Sequence, residues 1–342
     1  MKKYLIRVMA IFTFSFMFAS CFSLAAEAKV LKMYAPYPAD SFITQGLVSA
    51  VEQIKKETKG KISIKIFPGG QLGGYEEAVE EVRQGTIDLA STWLTKRFDP
   101  RLDMLNLPGY APLGYKQLAK ICFAVDSPFA TKIESVLQSI NIVSLGPWPE
   151  PYANLIFAKG KRPEKFIGFE NKKRSIRVPG MPLYRDSYVA MGYQTLTMDV
   201  SELWNAMQTG QVDGASGQTL ESTYLLGKDI VKHVDYNRAV CPPSWLIINK
   251  DLWSSFTKEQ QKIVSKAFNT WSLKTLDLMA KKDIEYAKLL KDYGIEVAEY
   301  NDKYYSELAA YLRKTVWPKY YDVFGKDFLV NLDKIVNNMK NK

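Results

Sequence analysis

Apolar residues run through this chain at two spacings, alternating in short stretches and recurring every three to four positions in longer ones. Residues Val30–Tyr34 are apolar enough for a buried strand, which Ala35-Pro36 closes. Over Phe42–Glu57 the positions Ile43, Leu47, Val51 and Ile54 keep helical spacing behind Ser41, a residue suited to capping. Ile62, Ile64 and Ile66 then alternate with polar residues up to the break at Pro68-Gly69-Gly70, which predicts a strand with one buried face. A helix is predicted over Tyr75–Gln84, burying Tyr75, Val79 and Val82 and placing Glu76 and Glu77 near its positive end. The short apolar run 87–90 supplies the next parallel strand. This β-α-β-α-β order predicts an α/β domain on a right-handed parallel sheet.

A second set of elements follows. Strands are predicted at 155–158 and at Ser175–Val178, the latter closed by Pro179-Gly180. Helices are predicted at 183–191 and 201–208, with Leu203 and Met207 sharing a face. Residues 211–215 lead into another short strand, and 246–249 form one more. Thr257 with Gln260 three residues later is a capping-box pattern that opens a long helical tract. Ile263, Ala267, Trp271, Leu278, Ile284 and Leu290 mark its apolar face, and a last helix starts near Asn301 and ends before Pro318. No repeat at a solenoid period and no low-complexity linker interrupts the pattern.

The N-terminus stands apart from this alternation. Lys2, Lys3 and Arg7 precede the apolar stretch 8–19, and Ala26-Glu27-Ala28 supplies small residues at the spacing of a signal-peptidase site. Residues 1–28 therefore read as a secretory signal peptide, too short for a membrane anchor, and predict a periplasmic protein. Phe18-Ala19-Ser20-Cys21 offers a rival route, a lipobox-like segment with Phe where Leu is usual, which would tether the protein by a lipid on Cys21. Cleavage after Ala28 takes 28 of 342 residues and leaves 314, enough for two domains. With Lys2, Lys3, Arg7 and Glu27 gone, the net charge falls from +10 to +8. Export argues against nucleic acid as the partner of this basic surface. The charges are interspersed with acidic ones, so they read as a solvated surface or a mild field attracting anions. The densest basic stretch, 159–174, reads as a solvated connection, with partner docking as the alternative. Cys122 and Cys241 remain after export. Two buried free thiols are the default, and a bridge between them is the alternative that an oxidising compartment permits.

Enzymatic chemistry finds little material here. His233 is the sole histidine, and Gly214-Ala215-Ser216-Gly217 is one residue short of a nucleophile elbow, so no Ser-His or Cys-His apparatus is proposed by the chain. One histidine and two separated cysteines make no standard zinc site. Residues 69–74 are glycine-rich before a helix but lack both dinucleotide and Walker spacing. The acidic pairs Glu76/Glu77 and Glu80/Glu81 fit a solvated helix face better than glycosidase carboxylates. The chain reads as a binding protein without a cofactor, not as an enzyme.

Two segments carry a positive assignment. Gly69-Gly70-Gln71-Leu72-Gly73-Gly74 is followed by Glu81-Val82-Arg83-Gln84-Gly85-Thr86-Ile87-Asp88-Leu89-Ala90. Farther on come Ser175-Ile176-Arg177-Val178-Pro179-Gly180 and the run Asp199-Val200-Ser201-Glu202-Leu203-Trp204-Asn205-Ala206-Met207-Gln208-Thr209-Gly210-Gln211-Val212-Asp213-Gly214. In this order and separation they resemble the two lobes of TRAP transporter solute-binding proteins of the dicarboxylate-binding (DctP) family, over essentially the whole mature chain.

The resemblance implies a two-lobed α/β periplasmic solute-binding fold with the ligand cleft between lobes and a long helix spanning both. Lobe 1 would hold residues 29–150 and 241–280, and lobe 2 residues 151–240 and 281–342. It implies a monomer that captures a small organic acid and delivers it to membrane permease subunits driven by an ion gradient. A sensor handing its signal to a membrane receptor, and an extracellular enzyme, are the alternatives. Arg177 matches the family position that pairs bidentately with the ligand carboxylate, a role suited to a planar, permanently charged guanidinium. The chain departs from the pattern at two places. Gly217 stands where many relatives carry Asn, leaving Ser216 or Gln218 to substitute. The second arginine, common about twenty residues earlier, has no counterpart, because Asn154, Leu155, Ile156 and Phe157 fill that stretch. One cation therefore favours a monocarboxylate with an apolar or aromatic body, unless Lys96 or Arg97 folds into the cleft. Trp93, Trp148, Tyr152, Val200 and Trp245 are the candidate walls.

Overall fold

Alternating strands and helices between residues 30 and 92 build the first of two sheets in the computed structural model, which describes residues 30–340. The signal segment 1–28, with Cys21, lies outside the described residues. Strands β1 (Val30–Tyr34), β2 (Ser63–Phe67) and β3 (Leu89–Thr92) run parallel, β1 pairing with both of the others. The sheet is not parallel throughout, however. β10 (Ser244–Asn249) returns late in the chain and inserts antiparallel between β3 and β4 (Ile142–Trp148), giving the order β2-β1-β3-β10-β4. Its six residues are all buried, which is why Leu246, Ile247 and Ile248 read as a continuous apolar run.

The second sheet has six strands in the order β11-β9-β5-β8-β6-β7. β5 (Ala153–Ala158) lies antiparallel to β9 (Val231–Val240) and β8 (Gly214–Gln218), while β6 (Ser175–Val178) is parallel to β8 and β7 (Gln194–Thr197). The short β11 (Glu296–Ala298) closes one edge beside β9. Arg162, from the basic stretch 159–174, pairs with Asp235 of β9 at 2.7 Å and with Glu296 of β11 at 2.6 Å. His233 of β9 bonds Glu296 through Nδ1 at 3.1 Å.

Residues 149–152 and 241–243 carry the chain between the sheets, and the helix Lys258–Asp292 ties them from outside. That helix starts with the expected capping box: Thr257 Oγ1 accepts from Gln260 N at 3.2 Å and Gln260 Oε1 accepts from Thr257 N at 2.8 Å. Its buried face differs from the expected one. Ile284 is 73 % exposed and Leu278 is also exposed, whereas Val264, Phe268, Leu276, Met279 and Leu290 are buried with Ser272, Thr275 and Asp283 among them. Ser272 donates to the Pro147 carbonyl at 3.1 Å, so polar residues belong to the contact stripe.

At the crossing of this helix with Phe42–Glu57, Gly46 is required by space. A Cβ there would lie 2.4 Å from Thr275 Oγ1 and 2.9 Å from the Trp148 ring. The C-terminal helices Asp302–Thr315 and Lys326–Lys340 return toward the first sheet's helices. Trp317 Nε1 donates to the Pro108 carbonyl at 2.9 Å, Arg313 Nη1 to the Gly109 carbonyl at 2.6 Å, and Lys132 Nζ to the Phe324 carbonyl at 3.3 Å. The tail therefore packs against elements from the first half of the chain, not only against the second sheet with which it was expected. Cys122 and Cys241 are both free and buried. Among the described residues no helix is long and apolar enough to cross a membrane.

Candidate functional site

The segments that end or follow the strands of both sheets converge on one chamber near the 149–152 connection. From the first sheet come Tyr37 after β1, Tyr75 at the start of its helix, and Trp93 after β3. From the second come Arg177 of β6, Tyr184 of the helix Pro182–Ala190, and Gly217 and Gln218 of β8. Glu150 enters from the connection itself. The inner chamber is small, about 50 Å³, room for a few water-sized groups. It adjoins an outer vestibule of about 770 Å³ lined by Gly69, Gly70, Gly73 and Gly74, with Asp199, Val200 and Trp204 among the residues opposite. The glycine-rich loop that resembles a phosphate cradle is thus a wall of this vestibule.

Arg177 is held by its own sheet. Its Nε donates to the Met198 carbonyl at 3.0 Å and its Nη1 to the Ser216 carbonyl at 3.4 Å, while Ser216 Oγ donates back to the Arg177 carbonyl at 3.3 Å. Gly217 turns the chain past the guanidinium at φ 86°, a left-handed conformation natural to glycine. Arg177 is only 2 % exposed, yet among the described residues it forms no salt bridge. Burial therefore lowers its pKa to about 10, with Tyr75, Asp199 and Tyr184 opposing the shift. A guanidinium carried into the interior without a carboxylate is costly, and it remains charged at neutral pH.

The opposite wall is aromatic. Trp93 stands edge-on to Tyr37 (ring centroids 5.8 Å apart, 74° between planes) and to Tyr75 (5.6 Å, 80°). Glu150 fixes two of these groups: its Oε2 accepts from the Tyr37 hydroxyl at 2.7 Å and from Trp93 Nε1 at 3.0 Å. Burial pushes the Glu150 carboxyl up to about 7, with hydrogen bonding from Tyr37, Trp93 and Ser244 opposing the shift. Gln218 Oε1 accepts from Ser222 Oγ at 3.2 Å, and its amide nitrogen has no bond among those described.

Of the residues expected from sequence, Arg177, Trp93, Val200, Gly217 and Gln218 share this chamber or its vestibule, and Ser216 stands just behind Arg177. Three expected walls lie elsewhere. Trp148 and Trp245 are fully buried core residues, the first against Gly46 of the helix crossing and the second donating from Nε1 to Ser144 Oγ at 2.8 Å. Tyr152 faces a separate cavity lined by Tyr115, Arg238 and Asp283, and its hydroxyl donates to the Tyr110 and Leu113 carbonyls at 2.7 and 3.0 Å. Arg97 pairs with Glu76 at the surface, 3.4 Å away, and neither it nor Lys96 lines the chamber or vestibule. Arg177 is the only cation among those lining residues, whereas Glu77 and Asp199 stand in the vestibule wall. Sequence reasoning missed Tyr37, Tyr75, Tyr184 and Glu150. The signal for Glu150 was present: it is the one acid within Pro147-Trp148-Pro149-Glu150-Pro151, between two strands of different sheets.

Comparison with known proteins gives the same frame. Residues 34–322 match the family described as bacterial extracellular solute-binding protein, family 7. A protein of Haemophilus influenzae is 28 % identical over 286 residues, covering 81 % of this chain and 83 % of its own. A TRAP periplasmic solute-binding protein of Desulfovibrio salexigens, solved with bound orotic acid, superposes with a TM-score of 0.80 at 18 % identity, covering 90 % of this chain and 99 % of its own. Another from Haemophilus influenzae, solved with bound L-gulonate, gives a TM-score of 0.77 at 23 % identity, covering 90 % of this chain and 99 % of its own.

Proposed function

The chain belongs to family 7 of the bacterial extracellular solute-binding proteins, and on that premise we propose that it is the solute-binding subunit of a TRAP transporter. It captures a small organic acid by its carboxylate between the two sheets and presents it, chemically unchanged, to an ion-gradient-driven permease pair in the membrane. The observation that carries this reading is Arg177: a buried guanidinium that forms a salt bridge with no carboxylate among the described residues, beside a chamber with room for little more than a carboxylate head. A bidentate pair with an incoming carboxylate relieves that uncompensated charge and fixes the ligand's orientation. The ligand's body then lies against Trp93, Tyr75 and Val200 toward the vestibule. The orotic acid and L-gulonate in the two solved structures are both acids, which supports a carboxylate ligand.

A thermal-shift screen against organic acids identifies binders, since a hundredfold excess over Kd stabilises the folded state by about 2.7 kcal/mol. Calorimetry on Arg177→Ala then tests the role. Affinity falls about thirty- to several-thousand-fold, the equivalent of about 2–5 kcal/mol, because the ligand carboxylate is left buried and unpaired. An affinity within about threefold of wild type removes Arg177 from the site.

A further inference from the structure

Glu150 has one carboxylate oxygen engaged and one left over. Oε2 takes both hydrogen bonds, from the Tyr37 hydroxyl and Trp93 Nε1, and these hold the side chain in place on the chamber wall. Oε1 is buried and accepts no hydrogen bond among the described residues. The local backbone cannot supply one from its immediate neighbours, since Pro149 and Pro151 carry no N–H. The Ser244 hydroxyl, near enough to favour the ionised carboxyl, also reaches the Trp148 carbonyl at 3.4 Å and Ser91 Oγ at 3.2 Å, so its single proton has other acceptors in reach. No cation forms a salt bridge with Glu150 among the described residues, and Arg177 lines the same chamber without pairing to it. A buried acceptor left unmade costs on the order of 1–3 kcal/mol, so the position calls for a further donor.

We infer that Glu150 is the specificity-determining pole of the site, reading an O–H or N–H group on the ligand, so that the protein takes hydroxy or amino (N–H-bearing) monocarboxylates and rejects dicarboxylates. This rests on the carboxylate being bound at Arg177. With one end of the ligand fixed there, a group reaching Glu150 Oε1 must donate. A second carboxylate in that place meets a like charge in a chamber whose one cation is already used, and Glu77 and Asp199 in the vestibule wall extend the same repulsion outward. An unsubstituted alkyl acid avoids the repulsion but leaves Oε1 unpaired. The order of preference is therefore donor-bearing acid, unsubstituted acid, dicarboxylate.

The test is calorimetry at pH 8 on the mature protein, where Glu150 is ionised. The groups facing it do not titrate there: burial holds the Tyr37 and Tyr184 hydroxyls and the Cys241 thiol neutral, and Arg177 stays charged. The probes are unsubstituted, ω-hydroxy, ω-amino and ω-carboxy straight-chain acids of three to six carbons. Wild-type protein binds the best hydroxy or amino acid at least tenfold tighter than the dicarboxylate of equal length. Glu150→Gln places amide N–H groups where Oε1 was, lowers that ratio tenfold or more, and changes the unsubstituted acid by less than threefold. Arg177→Ala weakens every probe alike. A wild-type preference for the dicarboxylate overturns the inference without any variant having to fold, as does a ratio untouched by Glu150→Gln. If no probe binds while other organic acids do so through Arg177, the inference fails and the carboxylate reading stands. If probes bind with a Glu150-dependent ratio but without need of Arg177, it is the carboxylate reading that fails.

Discussion

At the scale of single residues, the molecule keeps several acids where burial works against their charge. Glu150 is pushed up to about 7, and Asp103 and Asp283 to about 6, each chiefly by desolvation. A carboxyl whose folded pKa lies above its unfolded value contributes stability that is complete below the unfolded pKa and is lost as pH rises through the folded one. Stability against urea should accordingly fall between about pH 4 and pH 8. For Glu150 alone the raised pKa corresponds to about 3 kcal/mol at most. Glu150→Gln mimics the neutral acid, so it should match wild type at about pH 4 and exceed it by about 1–3 kcal/mol at pH 8; an identical pH dependence in the two proteins would refute this. The same residues show what a sequence reveals of a site. Arg177 was legible because a long motif surrounds it. Glu150 carried only the weaker signal of an acid between prolines, and its weight shows once the structure places it 2 % exposed with an oxygen to spare. Trp148 and Trp245 misled for the converse reason: an indole in a strand looks the same in sequence whether it faces a cleft or the core.

At the scale of elements, local pattern located most of the chain, and long-range contact explains the exceptions. Val30–Tyr34, Phe42–Glu57, Tyr75–Gln84 and Ser175–Val178 form as their periodicities predict. β9 escaped notice because Asp235 and Asn237, polar yet buried, hide the alternation of a strand. The antiparallel insertion of β10 depends on residues about 150 positions away in β3, which no local pattern encodes. The stripe of the long helix was misread for a related reason, since Ser272 bonds the Pro147 carbonyl of β4 and Thr275 lies against Gly46 of Phe42–Glu57, and an apolar count omits both. That contact makes a measurable claim. Gly46→Ala places a methyl 2.4 Å from Thr275 Oγ1 and against the rigid Trp148 ring, an overpacking that should cost about 1–3 kcal/mol. Adding Thr275→Ala should recover a good part of the loss, seen as positive coupling in a double-mutant cycle by urea denaturation. Strictly additive losses would mean that the two helices do not meet closely at Gly46.

At the scale of the whole molecule, the chamber as it stands is too small for the body of a ligand. Arg177 and Glu150 are each 2 % exposed, and the inner space of about 50 Å³ lies between residues of both sheets beside the vestibule. Admitting a ligand's body would part the sheets at the two places where the chain crosses between them, 149–152 and 241–243, with the helix Lys258–Asp292 as the further tie. Among the contacts outside the chamber lining that hold them together, one centres on a buried acid. Glu221, just beyond β8, accepts from Ser41 Oγ at 2.7 Å, from Phe42 N at 2.9 Å and from the Tyr286 hydroxyl at 3.1 Å, joining the second sheet's side to a helix start of the first. Scattering should therefore show the ligand-free protein as more expanded than the bound form, which approaches the roughly 20 Å radius of gyration of a compact chain of this length. Glu221→Ala removes the Ser41 and Phe42 bonds that join the two sides, so the closed state loses population and apparent affinity falls about tenfold or more, although Glu221 does not line the chamber. Bound Glu221→Ala should still reach the wild-type radius once ligand saturates it. An unchanged radius on binding, together with unchanged affinity in Glu221→Ala, would establish instead a rigid pocket that fills without closure.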